Sequence, residues 1–199
     1  IGCVGDFGCG QGVWLAEWKR SGAKFIRGFD GPWVDPGSLR ISSDDFEVID
    51  FETGFRRFQC DVAQCLEVAE HVSSSASAKL IESLTMSANI VFFSAAPPGQ
   101  GGIGHINERN YEEWRHIFNS FGYEVFDVLR PKILNDKTIP AWYRYNCLLY
   151  VKADSERFTQ LAQLGLSPMD SVTKIPDISP WWYQFRKLVI RSLPLNTAE

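Results

Sequence analysis

The 199-residue chain is 45% hydrophobic, 22% charged and 14% aromatic, which suits one domain with a proper core and excludes wholesale disorder. Twenty Lys and Arg against 24 Asp and Glu leave a net charge of −4, so no face is obliged to grip a phosphate backbone and no nucleic-acid partner is expected. No apolar run reaches the roughly 18–20 residues of a membrane-spanning helix. Five scattered cysteines without a Cys-x-x-Cys pair argue against a disulfide scaffold or zinc knuckle and for a reducing, cytoplasmic setting. The sequence opens at Ile1 in strand-like residues with nothing resembling a signal peptide, and reads as a piece whose natural start lies upstream.

In chain order, Ile1–Phe7 is strand-like, Gly8–Gly12 a tight turn and Val13–Ser21 a helix stopped by Gly22. Lys24–Phe29 is a second strand ending at Asp30, and Gly31–Asp45, with Pro32, Pro36 and Gly37, is loop. Phe46–Phe51 and Cys60–Leu66 are short strands, and Val68–Thr85 reads as a serine-containing helix. Ala88–Ala96, with Ile90 to Phe93 continuously apolar, fits a central strand covered on both faces. A Gly-rich loop, Pro97–Gly104, leads to a helix over Asn110–Phe121, with Tyr111, Trp114, Ile117 and Phe118 at helical spacing. Glu124–Arg130 and Arg144–Lys152 close the pattern as a pair of strands, and Ser155–Leu164 is a short helix. Pro168, Pro176 and Pro180 mark an irregular linker before Trp181–Leu193, which places Trp182, Phe185 and Val189 on one helical face. Alternating strands and helices predict an α/β fold, a doubly wound and mostly parallel sheet with helices on both faces.

The segment Val4-Gly5-Asp6-Phe7-Gly8-Cys9-Gly10-Gln11-Gly12 runs from a strand through a glycine turn into a helix. A dinucleotide-binding G-x-G-x-x-G turn would place its third glycine at position 13, which is Val13. The pattern D-x-G-x-G-x-G instead resembles motif I of class I S-adenosylmethionine-dependent methyltransferases. Asp30 ends the second strand about 20 residues on, where an acidic side chain accepts ribose hydroxyls in nucleotide-binding folds. Asp50-Phe51 ends the third strand, and Asp61-Val62-Ala63-Gln64-Cys65-Leu66-Glu67-Val68-Ala69-Glu70-His71 is similar to the fourth-strand signature of that family.

The resemblance spans about residues 1–152 and implies a seven-stranded-type Rossmann-like domain there, with 153–199 a C-terminal extension carrying a short amphipathic helix. It implies S-adenosylmethionine as cofactor, held by Asp6, Phe7, Gly8, Gly10, Asp30, Gly31, Asp50, Phe51 and Glu67. Two departures stand out. The helix expected after the second strand is a Pro-rich loop around Trp33, and the helices that precede the first strand in the family, often lidding the cofactor, are not in the sequence. Among the family it resembles bacterial small-molecule methyltransferases, which implies O-methylation of a sugar or secondary metabolite. A non-catalytic S-adenosylmethionine-binding module or subunit is the alternative from another class.

Methyl transfer to a hydroxyl asks the protein for positioning, desolvation and a base. The loop 95–108 carries His105, Asn107 and Glu108. His105 is the candidate base because imidazole titrates near neutral pH, although Asn107 could equally cap the next helix with His105 a polar neighbour. His71 is read as structural and no metal is assigned. The alternative is a divalent-ion set of Glu67, Glu70, His71 and His105, similar to the metal-dependent small-RNA 3′-end and ubiquinone-pathway methyltransferases, acting on an RNA or lipid-like acceptor. His116 reads as a surface residue. Trp142-Tyr143-Arg144-Tyr145-Asn146 is an edge-strand cluster or an acceptor-site lining. The tail packs over the domain or a second subunit, lids the acceptor pocket, or meets a membrane surface.

Overall fold

The computed structural model describes residues 1–54 and 56–192. Seven strands form one sheet: β1 (Cys3–Phe7), β2 (Phe25–Asp30), β3 (Phe46–Val48), β4 (Val62–Leu66), β5 (Ile90–Ser94), β6 (Tyr123–Phe126) and β7 (Leu148–Lys152). Their order is β3-β2-β1-β4-β5-β7-β6, parallel except where β7 pairs antiparallel with β5 and β6. The direction of winding reverses between β1 and β4. The crevice beyond their C-terminal ends is where doubly wound sheets bind ligands.

Strand alternation builds a core on each face. Ile90 and Phe92 of β5 join Leu15 and Trp18 of α1 (Val13–Arg20) on one side. Val91 and Phe93 turn to the other, against Leu80, Ile81 and Leu84 of α2 (Ser77–Ser87) and Trp114 and Phe118 of α3 (Tyr111–Ser120). Phe118 stacks on Tyr150 of β7 with ring centroids 3.8 Å apart. The start of α3 is fixed by a capping box. Asn110 accepts from the backbone of Glu113, whose carboxylate accepts the Asn110 N–H at 2.9 Å.

Several expected boundaries move, each for a local reason. The helix expected over Val68–Thr85 is instead a 3₁₀ turn (Ala69–His71), a serine turn and then α2. Ser73 Oγ donates to Glu52 and accepts the Ala76 N–H, while Ser77 Oγ returns to the Ser73 carbonyl, so serine side chains compete with the helical ladder. The strand expected over Glu124–Arg130 stops at Phe126, and Arg130–Ile133 forms α4 with Pro131 in its first turn. The strand expected from Arg144 begins at Leu148, and Trp142–Asn146, expected as an edge-strand cluster or site lining, lies in a short helix, α5 (Ala141–Asn146), directly after Pro140. The third strand ends at Val48 because Asp50 folds the chain back, accepting from the Glu52 N–H and the Thr53 hydroxyl. The 31–45 segment has no α-helix, only 3₁₀ turns at Pro36–Ser38 and Ser43–Asp45.

After α6 (Glu156–Gln163) the proline-marked segment is irregular but strapped down. The buried Arg115 guanidinium donates to the carbonyls of Met169, Asp170 and Thr173, Arg130 donates to Pro176, and Ile175 is buried in the core. The last element, α7 (Trp181–Ser192), turns Tyr183 and Lys187 inward and leaves Trp182, Phe185 and Val189 facing out. Leu193, expected to end this helix, lies outside the described residues.

Candidate functional site

A cleft of about 400 Å³ opens at the winding reversal. Gly8, Gly10, Asp30, Asp50, Phe51 and Glu67 all line it; buried Asp6, Phe7 and Gly31 lie behind that surface, and His105 is not among its walls. The glycine turn is tight for a definite reason. Gly8 has φ +91°, and a Cβ there would lie 2.2 Å from the Val68 side chain, so only glycine lets the turn approach the segment that follows β4. Asp30 organises the turn: one carboxylate oxygen accepts the Gly10 N–H at 2.6 Å and the other the Gly31 N–H at 2.7 Å. The Trp33 ring lies over Gly31, occupying the space of a side chain there. Val68 and His71 of the fourth-strand signature also line it, and Trp33, Glu52 and Val72 complete walls that the motifs did not indicate.

The electrostatics of the cleft are one-sided. Asp30, Asp50, Glu52 and Glu67 line it, and no Lys or Arg does. Behind it Asp6 is fully buried with Oδ2 unpartnered; burial pushes its carboxyl up to about 7, Gln64 opposing and Asp30 adding. Because the ordinary value is 3.8, the folded state holds this proton more tightly than the unfolded chain, and stability falls as pH rises from about 4 towards 7. Asp6→Asn should remove the Asp6 share of that slope, leaving the share of buried Glu70, and gain up to about 4 kcal/mol at pH 8 relative to wild type. Urea unfolding at pH 4 and pH 8 reads it; an unchanged slope would refute the assignment.

Glu67, the residue directly after β4, has φ +56° and is the one described non-glycine residue in the left-handed region, a strain of about 1–3 kcal/mol of the kind that concentrates at functional sites. The conformation aims its carboxylate at Gln100 Nε2 (2.8 Å) and Asn146 Nδ2 (3.2 Å). Asn146 also donates to Gln100 Oε1 at 2.9 Å and accepts from the Tyr111 hydroxyl at 2.9 Å. Gln100 and Asn146 were visible only as polar residues in a loop and an aromatic motif. Their sequence separations from Glu67 hid the network.

Beside this network Glu70, His71 and His105 bring ligand-type atoms within 4.8 Å of one another. Glu70 is buried with neither carboxylate oxygen hydrogen-bonded. Burial, reinforced by Glu67, pushes its carboxyl up to about 9, with nearby backbone N–H groups pulling the other way from outside hydrogen-bond geometry. The His71 and His105 rings meet edge-on at 4.9 Å. His71 Nδ1 lies 3.1 Å from the Gly104 carbonyl, and burial followed by His105 lowers its pKa. His105 Nδ1 lies 2.9 Å from Glu108, which also accepts the N–H groups of Gly99 and Gly101. Burial works to raise Glu108, but these hydrogen bonds outweigh it and hold the carboxyl below its ordinary value. Glu67 points away from the three-residue cluster, towards Gln100 and Asn146. Asn107, an expected helix cap, instead donates to the Ala69 carbonyl and Ser77, and Asn110 caps α3.

No protein-family model and no curated protein matches the sequence. Solved structures do match the fold. Magnesium protoporphyrin IX methyltransferase (ChlM) from Synechocystis PCC 6803 with bound SAM is 19% identical with a TM-score of 0.55, over 75% of this chain and 69% of that one. An S-adenosylmethionine-dependent methyltransferase from Mesorhizobium loti is 14% identical with a TM-score of 0.54, over 74% and 88% of the two chains. Small RNA methyltransferase HEN1 is 15% identical with a TM-score of 0.51, over 77% of this chain and 23% of that one. Strand order, the mixed edge at β7 and these likenesses agree: the chain has the Rossmann-like fold of the class I methyltransferases.

Proposed function

We propose that the protein transfers a methyl group from S-adenosylmethionine to a hydroxyl of a small molecule, a sugar or secondary metabolite. The carrying observation is the cleft lined by four carboxylates and no Lys or Arg, which favours a positively charged ligand and opposes a phosphorylated one. When bound, S-adenosylmethionine supplies an electrophilic methyl on a sulfonium. Gly8 and Gly10 give backbone approach, Asp30 and Asp50 offer acceptors for a nucleoside, Phe51 an apolar wall and Glu67 a counter-charge for an ammonium. Asp6, Phe7 and Gly31 support that surface from behind. Gln100 and Asn146, buried and bonded to Glu67 and to each other, hold that carboxylate in place, and His105, oriented by Glu108, takes the acceptor's hydroxyl proton at Nε2. Calorimetry with S-adenosylmethionine and S-adenosylhomocysteine tests the cofactor, and a screen of hydroxylated acceptors with labelled cofactor tests the reaction. Absence of binding would overturn the whole reading; binding without turnover on any acceptor would leave a cofactor-binding module.

A second reading is favoured by the two unpartnered oxygens of buried Glu70 beside His71 and His105. One carboxylate and two imidazoles suit a divalent cation, which would act as Lewis acid on the acceptor oxygen. Thermal melts in Mg²⁺, Mn²⁺ or Zn²⁺ after chelation should then show stabilisation of about 2.7 kcal/mol at a hundredfold excess over Kd, absent in Glu70→Gln. Equal melts with and without each cation would exclude the site.

A further inference from the structure

We propose that α7 seats the protein on an anionic lipid bilayer, its outward aromatic row entering the headgroup boundary. The helix is inverted relative to an ordinary surface helix. Trp181 is 79% exposed, Trp182 53%, Phe185 61%, Leu188 62% and Val189 42%. At 100° per residue these side chains fill an arc of about 120°, broken only by Ser192 and by no charge. Its polar groups serve the underside instead: Lys187 pairs with Asp177, Arg186 donates to the Gln100 carbonyl at 2.8 Å and Arg191 to the Pro98 carbonyl at 2.8 Å. The hold is close, since a Cβ on Gly99 would lie 2.2 Å from the Lys187 carbonyl oxygen.

Charge selects the occupant. α7 carries Arg186, Lys187 and Arg191 and no Asp or Glu, in a chain of net charge −4. Arg186 and Arg191 are exposed and flank the apolar arc, and each guanidinium keeps donors beyond the one bonded to the loop. Trp, Phe and Leu on one face with Arg at its borders is the composition of a helix lying in a membrane interface. A second copy would set these like charges against each other with no acid on α7 to answer them. Among the described residues no helix is long and apolar enough to cross a membrane, so the contact is a surface one. Because Arg186 and Arg191 hold the loop containing Gln100, docking would bring the edge of the candidate acceptor site to the lipid.

The test is co-sedimentation of the full chain with vesicles of phosphatidylcholine alone and of equal parts phosphatidylcholine and phosphatidylglycerol. Binding should be about thirtyfold tighter to the anionic vesicles, the weight of two surface arginines, weaken with added salt and shift tryptophan emission to the blue. Phe185→Glu with Leu188→Glu should abolish it at an unchanged melting temperature, since both side chains are exposed. Failure to bind either vesicle would overturn the proposal. So would a dimer in sedimentation equilibrium that the same double variant disperses, which would make the face a self-interface. Neither outcome depends on methyl transfer, so the function proposed above stands or falls separately.

Discussion

Asp30→Ala is expected to weaken S-adenosylmethionine binding at least about a hundredfold, roughly 2.7 kcal/mol. The carboxylate is only 7% exposed, and its oxygens already hold the Gly10 and Gly31 N–H groups. Each oxygen has a second lone pair, so the group can shape the turn and still accept from a ligand in the cleft it lines. Truncation removes both contributions. The two N–H groups lose charge-assisted partners worth about 1.5–3 kcal/mol each, and the glycine turn loses the tie that fixes its shape. Asp30→Asn separates the roles, since its amide matches the size but offers one acceptor where two donors point. An intermediate loss is expected for Asn. Calorimetry on both variants decides, alongside circular dichroism to establish that each remains folded. Affinity of the Ala variant within about threefold of wild type would remove Asp30 from the site.

What could be read in the sequence is what local chemistry dictates. The apolar run at Ile90–Phe93 gave a central strand because both faces of β5 are covered, and the glycines at 8, 10 and 12 gave a turn because all three have positive φ. Acidic residues at strand ends are legible for the same reason: Asp30 finishes β2, Glu67 directly follows β4, and the sheet order brings those ends close. Long-range pairing was not legible. Gln100 and Asn146 lie 33 and 79 residues along the chain from Glu67, and no periodicity connects them. At 73–77 a helix-compatible serine run conceals side chains that bond to neighbouring backbone instead. The tail shows a subtler limit. Its amphipathic spacing was correct, but spacing does not reveal which face is buried. Three basic side chains found acceptors on the domain and turned the apolar row outward.

The second large effect concerns His105. His105→Ala should lower kcat by about a hundred- to ten-thousandfold, the usual weight of a general base, while leaving cofactor affinity intact because the ring does not line the cofactor cleft. The geometry explains the assignment. Glu108 is an acceptor, so the proton on Nδ1 points to it and Nε2 keeps a free lone pair. Glu108→Gln retains an oxygen for Nδ1 but turns an amide donor towards the N–H groups of Gly99 or Gly101, so a smaller loss, on the order of tenfold, is expected. Glu70→Gln then separates the two readings of the cluster. If His105 acts alone as base, Glu70 serves no step and turnover stays near wild type in that variant. If the cluster holds a divalent cation, Glu70→Gln should fall as far as His105→Ala, and activity lost to a chelator should return with added metal only in protein that keeps Glu70. Full turnover in His105→Ala would defeat both, because His105 is common to the base and to the cation site.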